Sequence, residues 1–218
     1  GDIRHDDYYW LNEKTNQEVL AYLEAENAYF ADVMAPLNAL TDDIYESMIA
    51  RIPNEEIDVP IQRGPYFYYT RQEKDLQYPI YARKLAATRA ALAEAKEEII
   101  LDVNVLAAGD DYLSTTDIRP TDDHQLLAYL ENRDGTDSYT LYIKDLQTGA
   151  LLDDVIPNVY ISSSVEWSAC GHYLFYVTIN DQQRPYQLWR HKLGTANTED
   201  VLLYEEQDVT FNLYVAKS

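Results

Sequence analysis

A thiol and an imidazole stand two residues apart in Ser168-Ala169-Cys170-Gly171-His172, the sharpest place in this chain to look for nucleophilic chemistry. Such chemistry needs an imidazole positioned in space and an electropositive setting that lowers the thiol pKa. Adjacency in a turn between two strands supplies neither, and the aligned turn of a preceding repeat, Thr121-Asp122-Asp123-His124, holds no cysteine. A structural turn is therefore a better reading than a small Cys/His hydrolase. Arg133-Asp134-Gly135-Thr136-Asp137 offers oxygens in the manner of a calcium loop, but it lacks the full alternation of ligands and the closing Glu. It reads as a hairpin turn. No G-x-S-x-G elbow, H-E-x-x-H helix, Walker loop or dinucleotide G-x-G-x-x-G occurs. His5 and His191 have no partner at ligand spacing, and Trp10, Trp167 and Trp189 sit in apolar segments as expected core. No residue is singled out as catalytic, cofactor-binding or metal-ligating, and no cofactor is expected.

The stretch RPYQLWRHKLGT, residues 184–195, is a basic island in a chain with 17 Lys+Arg against 38 Asp+Glu and a net charge of −21. That balance argues against nucleic acid, whose binding is driven by Lys and Arg neutralising phosphate. The acidity serves solubility or attracts basic ligands. Doubled acids such as Asp6-Asp7, Asp122-Asp123 and Asp153-Asp154 are scattered, which suggests a solvated surface rather than one site. Arg184, Arg190 and Lys192 then have acids available as exposed ion-pair partners. Cys170 is the only cysteine, which excludes an internal disulfide and fits a reducing compartment. The opening residues GDIRHDDYYW carry no apolar signal segment, although a signal removed ahead of them is left open, and no run approaches the roughly 18 apolar residues of a membrane span.

The elements that would position any site divide into two regions. Residues 1–60 read as a helical arm. Thr15-Asn16-Gln17-Glu18 has the form of a capping box. Beyond it Leu20, Leu23, Phe30, Met34 and Leu37 make one stripe, with Val19, Tyr22, Tyr29 and Val33 beside it. An arc this wide predicts burial against something sizeable. Pro36 is placed to end the helix, and Leu37, Leu40, Ile44 and Met48 share a face of a second one. Past Pro53 and Pro60 the pattern turns to strands, at Tyr66-Phe67-Tyr68-Tyr69-Thr70 and Pro79-Ile80-Tyr81-Ala82. The Ala-rich KLAATRAALAEAKEE has the propensity of a helix, and Ile99 to Leu106, IILDVNVL, reads as a strand.

An internal repeat follows. Residues 125–149 match residues 172–195, with Tyr129, Tyr142 and Leu146 each 47 positions ahead of Tyr176, Trp189 and Leu193. Each copy is a strand, a polar hairpin, a second strand and a Gly turn, with further strands at Thr116-Asp117-Ile118, Val165-Glu166-Trp167 and Val201-Leu202-Leu203-Tyr204. About four strands per unit at this period suit propeller blades. The runs LLAYL and YLFYV lack alternation, as strands buried on both faces do. Periodicity alone leaves a sandwich of stacked hairpins open. The fold class is mainly β: a helical arm, then residues 61–218 as about three blades, near 64–106, 112–156 and 160–206, with Thr210-Phe211-Asn212-Leu213-Tyr214-Val215 opening a fourth.

Asp6-Asp7-Tyr8-Tyr9-Trp10-Leu11, the helix from Glu18 to Tyr29, QYPIYARK, Ile100-Leu101-Asp102-Val103-Asn104, YTLYIKDLQTG and RPYQLWRHKLGT occur in an order that resembles the prolyl oligopeptidase family of serine peptidases, and within it the oligopeptidase B branch. The chain departs from the family pattern in the length of KLAATRAALAEAKEE. It departs again at Arg119-Pro120-Thr121-Asp122-Asp123 and Ser168-Ala169-Cys170-Gly171, where such blades carry a Ser-Pro-Asp-Gly-like turn. The resemblance implies a seven-bladed propeller joined to a C-terminal α/β-hydrolase domain whose Ser–Asp–His triad cleaves short peptides after Arg or Lys. The propeller excludes folded proteins, and the arm belongs with the hydrolase part. No triad position falls within residues 1–218. The implied partners are that hydrolase domain and basic oligopeptides, with no nucleic acid and no membrane, and the implied compartment is the cytoplasm. Taken alone, such a piece is expected to be marginal or to self-associate through its uncovered faces. A stand-alone propeller-type binding module without activity is the alternative.

Overall fold

Asn16, one residue later than the capping box predicts, starts the first helix. Its side chain accepts from the Glu18 amide at 2.9 Å and its Nδ2 donates to Glu13 Oε2 at 2.9 Å. Asn caps a helix at least as well as Thr, and the second bond fixes the carboxamide in place. The computed structural model describes residues 3–53 and 55–217, and the chain divides after Pro53 into a helical unit and a β unit. In the helical unit α1 (Gln17–Met34) gives way to a short 3₁₀ turn (Ala35–Leu37) and then α2 (Asn38–Ile49). Pro36 sits in that turn, where its missing N–H interrupts the α-helical ladder. The expected burial of the apolar arc is not what the unit shows. Val19 is buried, whereas Leu23, Phe30, Leu40, Ile44 and Met48 are exposed. Trp10 is exposed too, against the expectation of core, and meets Tyr22 edge-on with ring centres 5.6 Å apart. Two helices joined by a single turn have too little surface to cover stripes this broad.

The β unit opens with β1 (Glu55–Ile57), β2 (Ile61–Arg63), β3 (Tyr66–Glu73), β4 (Ile80–Leu85) and β5 (Glu97–Asp102). β3 carries β1 and β2 end to end along one edge and β4 along the other, and β4 pairs in turn with β5. The Ala-rich stretch does not form the helix its composition favours. Its ends are drawn into the β4–β5 ladder, where Lys84 pairs with Glu97 and Arg83 with Glu98. Only Arg89–Ala93 turns, as 3₁₀, with Lys84 Nζ donating to the Leu92 carbonyl at 3.1 Å. Strand pairing here outweighs local propensity. The expected strand IILDVNVL is likewise cut short. Asp102 caps α3 (Val103–Leu106) by accepting from Asn104 N at 2.9 Å.

A second antiparallel sheet takes in β6 (Ser114–Pro120), β7 (Leu126–Asn132), β8 (Ser138–Asp145), β9 (Ile156–Tyr160), β10 (Val165–Trp167), β11 (Tyr173–Ile179), β12 (Pro185–Lys192) and β13 (Val201–Glu205). The internal repeat appears in its register. Tyr129 lies opposite Tyr142, and Tyr176 lies opposite Trp189. The closing turns match as well: Leu146 N donates to Gln125 O at 2.8 Å, and Leu193 N to His172 O at 3.1 Å. The segment 210–215 lies outside the strands, with Leu213 N donating to Pro185 O and Val215 N to Ser163 O, both at 3.0 Å.

β7 shows why alternation is missing. Leu127 and Tyr129 pack with Ile100, Leu101, Val103 and Leu113 on one side. Ala128 and Leu130 pack with Leu141, Val159, Val165, Trp167 and Leu174 on the other. Both faces of one strand are therefore core. Leu141→Ala is expected to lower stability by about 2–5 kcal/mol through the cavity it leaves. The exposed Leu203→Ala should stay within about 0.5 kcal/mol. Urea denaturation of the intact protein measures both, and equal effects would contradict the core assignment.

Candidate functional site

The turn holding Cys170 joins β10 to β11 and exposes both its thiol and the His172 ring. Cys170 Sγ lies 3.4 Å from Ser168 Oγ. That hydroxyl, followed by the His172 amide, draws the thiol below its usual pKa. Ser168 Oγ also accepts from Tyr173 N and donates to Tyr173 O, both at 3.0 Å. The hydroxyl is thus occupied in closing the turn. The oxygens of the Arg133–Asp137 stretch are likewise turned on their own backbone: Asp134 Oδ1 accepts from Thr136 N at 3.0 Å, and Asn132 Oδ1 from Gly135 N at 2.7 Å. Among the described residues no group of three or more His, Cys, Asp or Glu side chains is arranged to hold a metal ion.

The basic island is strand β12 and the turn after it, but among the described residues its cations do not make the expected exposed ion pairs. Arg184 Nη1 donates to the carbonyls of Phe211 at 2.8 Å and Asp208 at 3.2 Å, and Nη2 to that of Glu206 at 3.1 Å. A guanidinium with five donors suits three carbonyls of a segment that has no ladder of its own. Arg190 lies over the Tyr173 ring, 5.0 Å from its centre.

Two buried polar clusters escape sequence reasoning. In the first, Arg83 is 4% exposed and grips Glu98 with two bonds, at 2.9 and 2.8 Å. The same guanidinium reaches the His124 carbonyl at 2.7 Å, so one side chain joins β4, β5 and the turn before β7. Tyr68 OH and His124 Nδ1 share a hydrogen bond of 2.9 Å. Burial, then the Arg83 charge, holds the imidazole below its usual pKa. A Cβ on Gly64 would lie 2.5 Å from His124 Nε2, and its φ is +55°; glycine is required there on both counts.

In the second, His191 is 1% exposed, with Nδ1 2.7 Å from Asp200 Oδ1 and Nε2 2.9 Å from Asp154 Oδ1. Gly194 N donates to Asp154 at 2.6 Å, and Tyr176 OH to Asp200 Oδ2 at 2.7 Å. Asp154 therefore corrects the reading of the doubled acids as uniformly solvated. Its partners lie 37 and 40 residues away, beyond any ligand spacing. The one usable signal is the repeat, which puts His191 on the same strand position as Lys144. Both clusters bind separate elements together by charge-assisted bonds.

The family model for the prolyl oligopeptidase N-terminal β-propeller domain matches residues 1–218. Protease 2 of Moraxella lacunata is 58% identical over 218 residues, which is all of this chain and 32% of that protein. Dipeptidyl aminopeptidase BI of Pseudoxanthomonas mexicana is 38% identical over all of this chain and 32% of its own length. The structure of oligopeptidase B from Leishmania major superposes with a TM-score of 0.91 at 30% identity, over 99% of this chain and 30% of that one. The chain thus spans about a third of the length of the curated relatives it matches.

His191→Ala leaves Asp154 and Asp200 buried without the imidazole that bridges them, and is expected to cost about 3–5 kcal/mol. Lys192→Ala, on the exposed neighbour, should cost no more than about 0.5 kcal/mol. Chemical denaturation of the intact protein separates the two, and equal losses would deny the cluster a structural role.

Proposed function

Since this chain belongs to the prolyl oligopeptidase family, as its N-terminal β-propeller part, we propose that it is the gating and scaffolding portion of an oligopeptidase B-like serine endopeptidase that hydrolyses short peptides after Arg or Lys. The observation that carries the reading is the 58% identity to Protease 2 over every residue of the chain. Oligopeptidase B of Trypanosoma brucei, whose structure is matched at a TM-score of 0.83 and 30% identity, is described with antipain covalently bound, which supports a covalent route. Residues 1–60 form the arm and residues 61–218 the blades, near 64–106, 112–156 and 160–206, with the rest leading to a fourth. The catalytic Ser, Asp and His stand in a C-terminal α/β-hydrolase domain of the same parent, which is the partner of this part. The relatives named are peptidases, so the stand-alone binding module has no comparable support. Cytoplasmic residence is part of the proposal and rests on the single, exposed, unpaired Cys170.

The reaction needs nothing from these residues at the scissile bond. Their contribution is access and field. A rim of blades admits a short extended peptide and holds back a folded one. A net charge of −21 attracts cationic substrates at long range. Among the described residues no helix is long and apolar enough to cross a membrane.

The intact protein is expected to cleave a short fluorogenic peptide with Arg before the scissile bond much faster than the same peptide with Leu; equal rates would remove the proposed specificity. Its kcat/KM for the Arg peptide should fall roughly tenfold as ionic strength rises from about 0.01 M to about 0.5 M, while KM-independent turnover of a neutral peptide stays flat. A salt-independent rate would leave the acidity to solubility alone. Residues 1–218 expressed by themselves should sediment as concentration-dependent assemblies, and a monodisperse monomer with a cooperative melt would count against the proposed dependence on a hydrolase domain.

A further inference from the structure

The two repeats carry an equivalent pair of residues whose surroundings differ. In the later repeat the pair is Tyr176 and His191, and both are saturated by the chain's own carboxylates, Asp200 and Asp154. In the earlier repeat the same positions, 47 residues back, hold Tyr129 and Lys144. These two line a cavity of about 390 Å³ shared by β5 and α3 on one side and β7 and β8 on the other, with Leu101, Leu106 and Leu151 as its apolar lining. No carboxylate meets Lys144 among the described residues. Its Nζ donates once, to the Ile100 carbonyl at 2.9 Å, which leaves two donors of the ammonium unused.

The hydroxyls agree with the ammonium. Tyr129 is 1% exposed, and its ring stacks on Tyr142 with centres 5.9 Å apart. Neither hydroxyl has a hydrogen-bond partner among the described residues, so each is free to donate into the cavity that the two rings line. The cavity's own acid, Glu131, is turned towards Arg133, whose Nε donates to it at 2.6 Å. Arg133 is held in turn by Asp110. Burial pushes the Lys144 ammonium down and the Glu131 carboxyl up. Three donors thus line one cavity at positions where the later repeat has carboxylates.

We propose that this cavity binds a small organic carboxylate with an apolar body. The carboxylate accepts from Lys144 Nζ and from the hydroxyls of Tyr129 and Tyr142, taking the place that Asp154 and Asp200 fill in the later repeat. The body lies along Leu101, Leu106 and Leu151. The negative field of the chain opposes any anion at long range but is screened beyond about 10 Å at 0.1 M salt, so the site acts through local contacts and binds weakly.

N-acetyl-leucine is a suitable probe, with N-acetyl-leucinamide as its uncharged counterpart of the same shape. Ligand-observed NMR titration of the intact protein is expected to give a dissociation constant of about 1 mM for the acid. The amide should bind at least about tenfold more weakly, as should the acid to Lys144→Met or Tyr129→Phe protein. Any second site for the acid elsewhere in the protein is unaffected by these substitutions, so the difference between variants reports this cavity. Tyr129→Phe removes a single oxygen and decides the matter if Lys144→Met does not fold. The proposal fails if acid and amide bind alike, if the acid does not bind, or if Tyr129→Phe protein binds it as tightly as the original.

Discussion

Burial on both faces of the inner strands is the constraint on which the β unit depends. Leu127 and Tyr129 of β7 belong to one core, and Ala128 and Leu130 belong to the next. No four-stranded unit has an interior of its own, because each completes its neighbour. The hydrophobic driving force is therefore spent at the seams between units rather than within them. A chain built this way must repeat its strand pattern at near-constant spacing. That is why the cross-strand pairs Tyr129–Tyr142 and Tyr176–Trp189 recur in step.

A seam made only of apolar contacts fixes distance but leaves sliding cheap. The polar clusters resist it. Arg83 ties β4 and β5 to the turn before β7, and His191 ties Asp154, from the end of one repeat, to Asp200 in the next. Directional, charge-assisted bonds in a dry setting set register where dispersion does not. The earlier repeat keeps the donor positions, but its acid, Glu131, is paired with Arg133. Its Lys144 and Tyr129 therefore face an open cavity instead of a closed network. One position thus serves as a lock in one blade and as a receptor in the other, and only the placement of carboxylates distinguishes them.

The fold was largely legible because its strongest signals are periodic. The repeat, the DG hairpin at Asp134-Gly135 and the strands around Tyr66 and Val201 follow from spacing, and the structure has strands at each. The failures share one cause. Alanines between Arg83 and Glu98 favour a helix locally, but the β4–β5 ladder claims both ends of that stretch. Arg184 seemed to want carboxylates, and it found backbone carbonyls because segment 206–211 has no strand to satisfy them. His191 seemed unpartnered because its acids are distant in sequence. Tertiary neighbours decided each case, and a single sequence does not state who the neighbours are.

The helical unit poses the converse problem. Its stripes are as apolar as a core strand, yet Phe30, Leu40, Ile44 and Met48 face outward, and Val19 is the exception. An amphipathic surface of that breadth is stable only when another body covers it. Under the proposed function that body is the hydrolase domain of the same parent, so arm and blades answer to one requirement. Each presents more apolar surface than it covers alone, and each is completed by what lies next to it in the full enzyme.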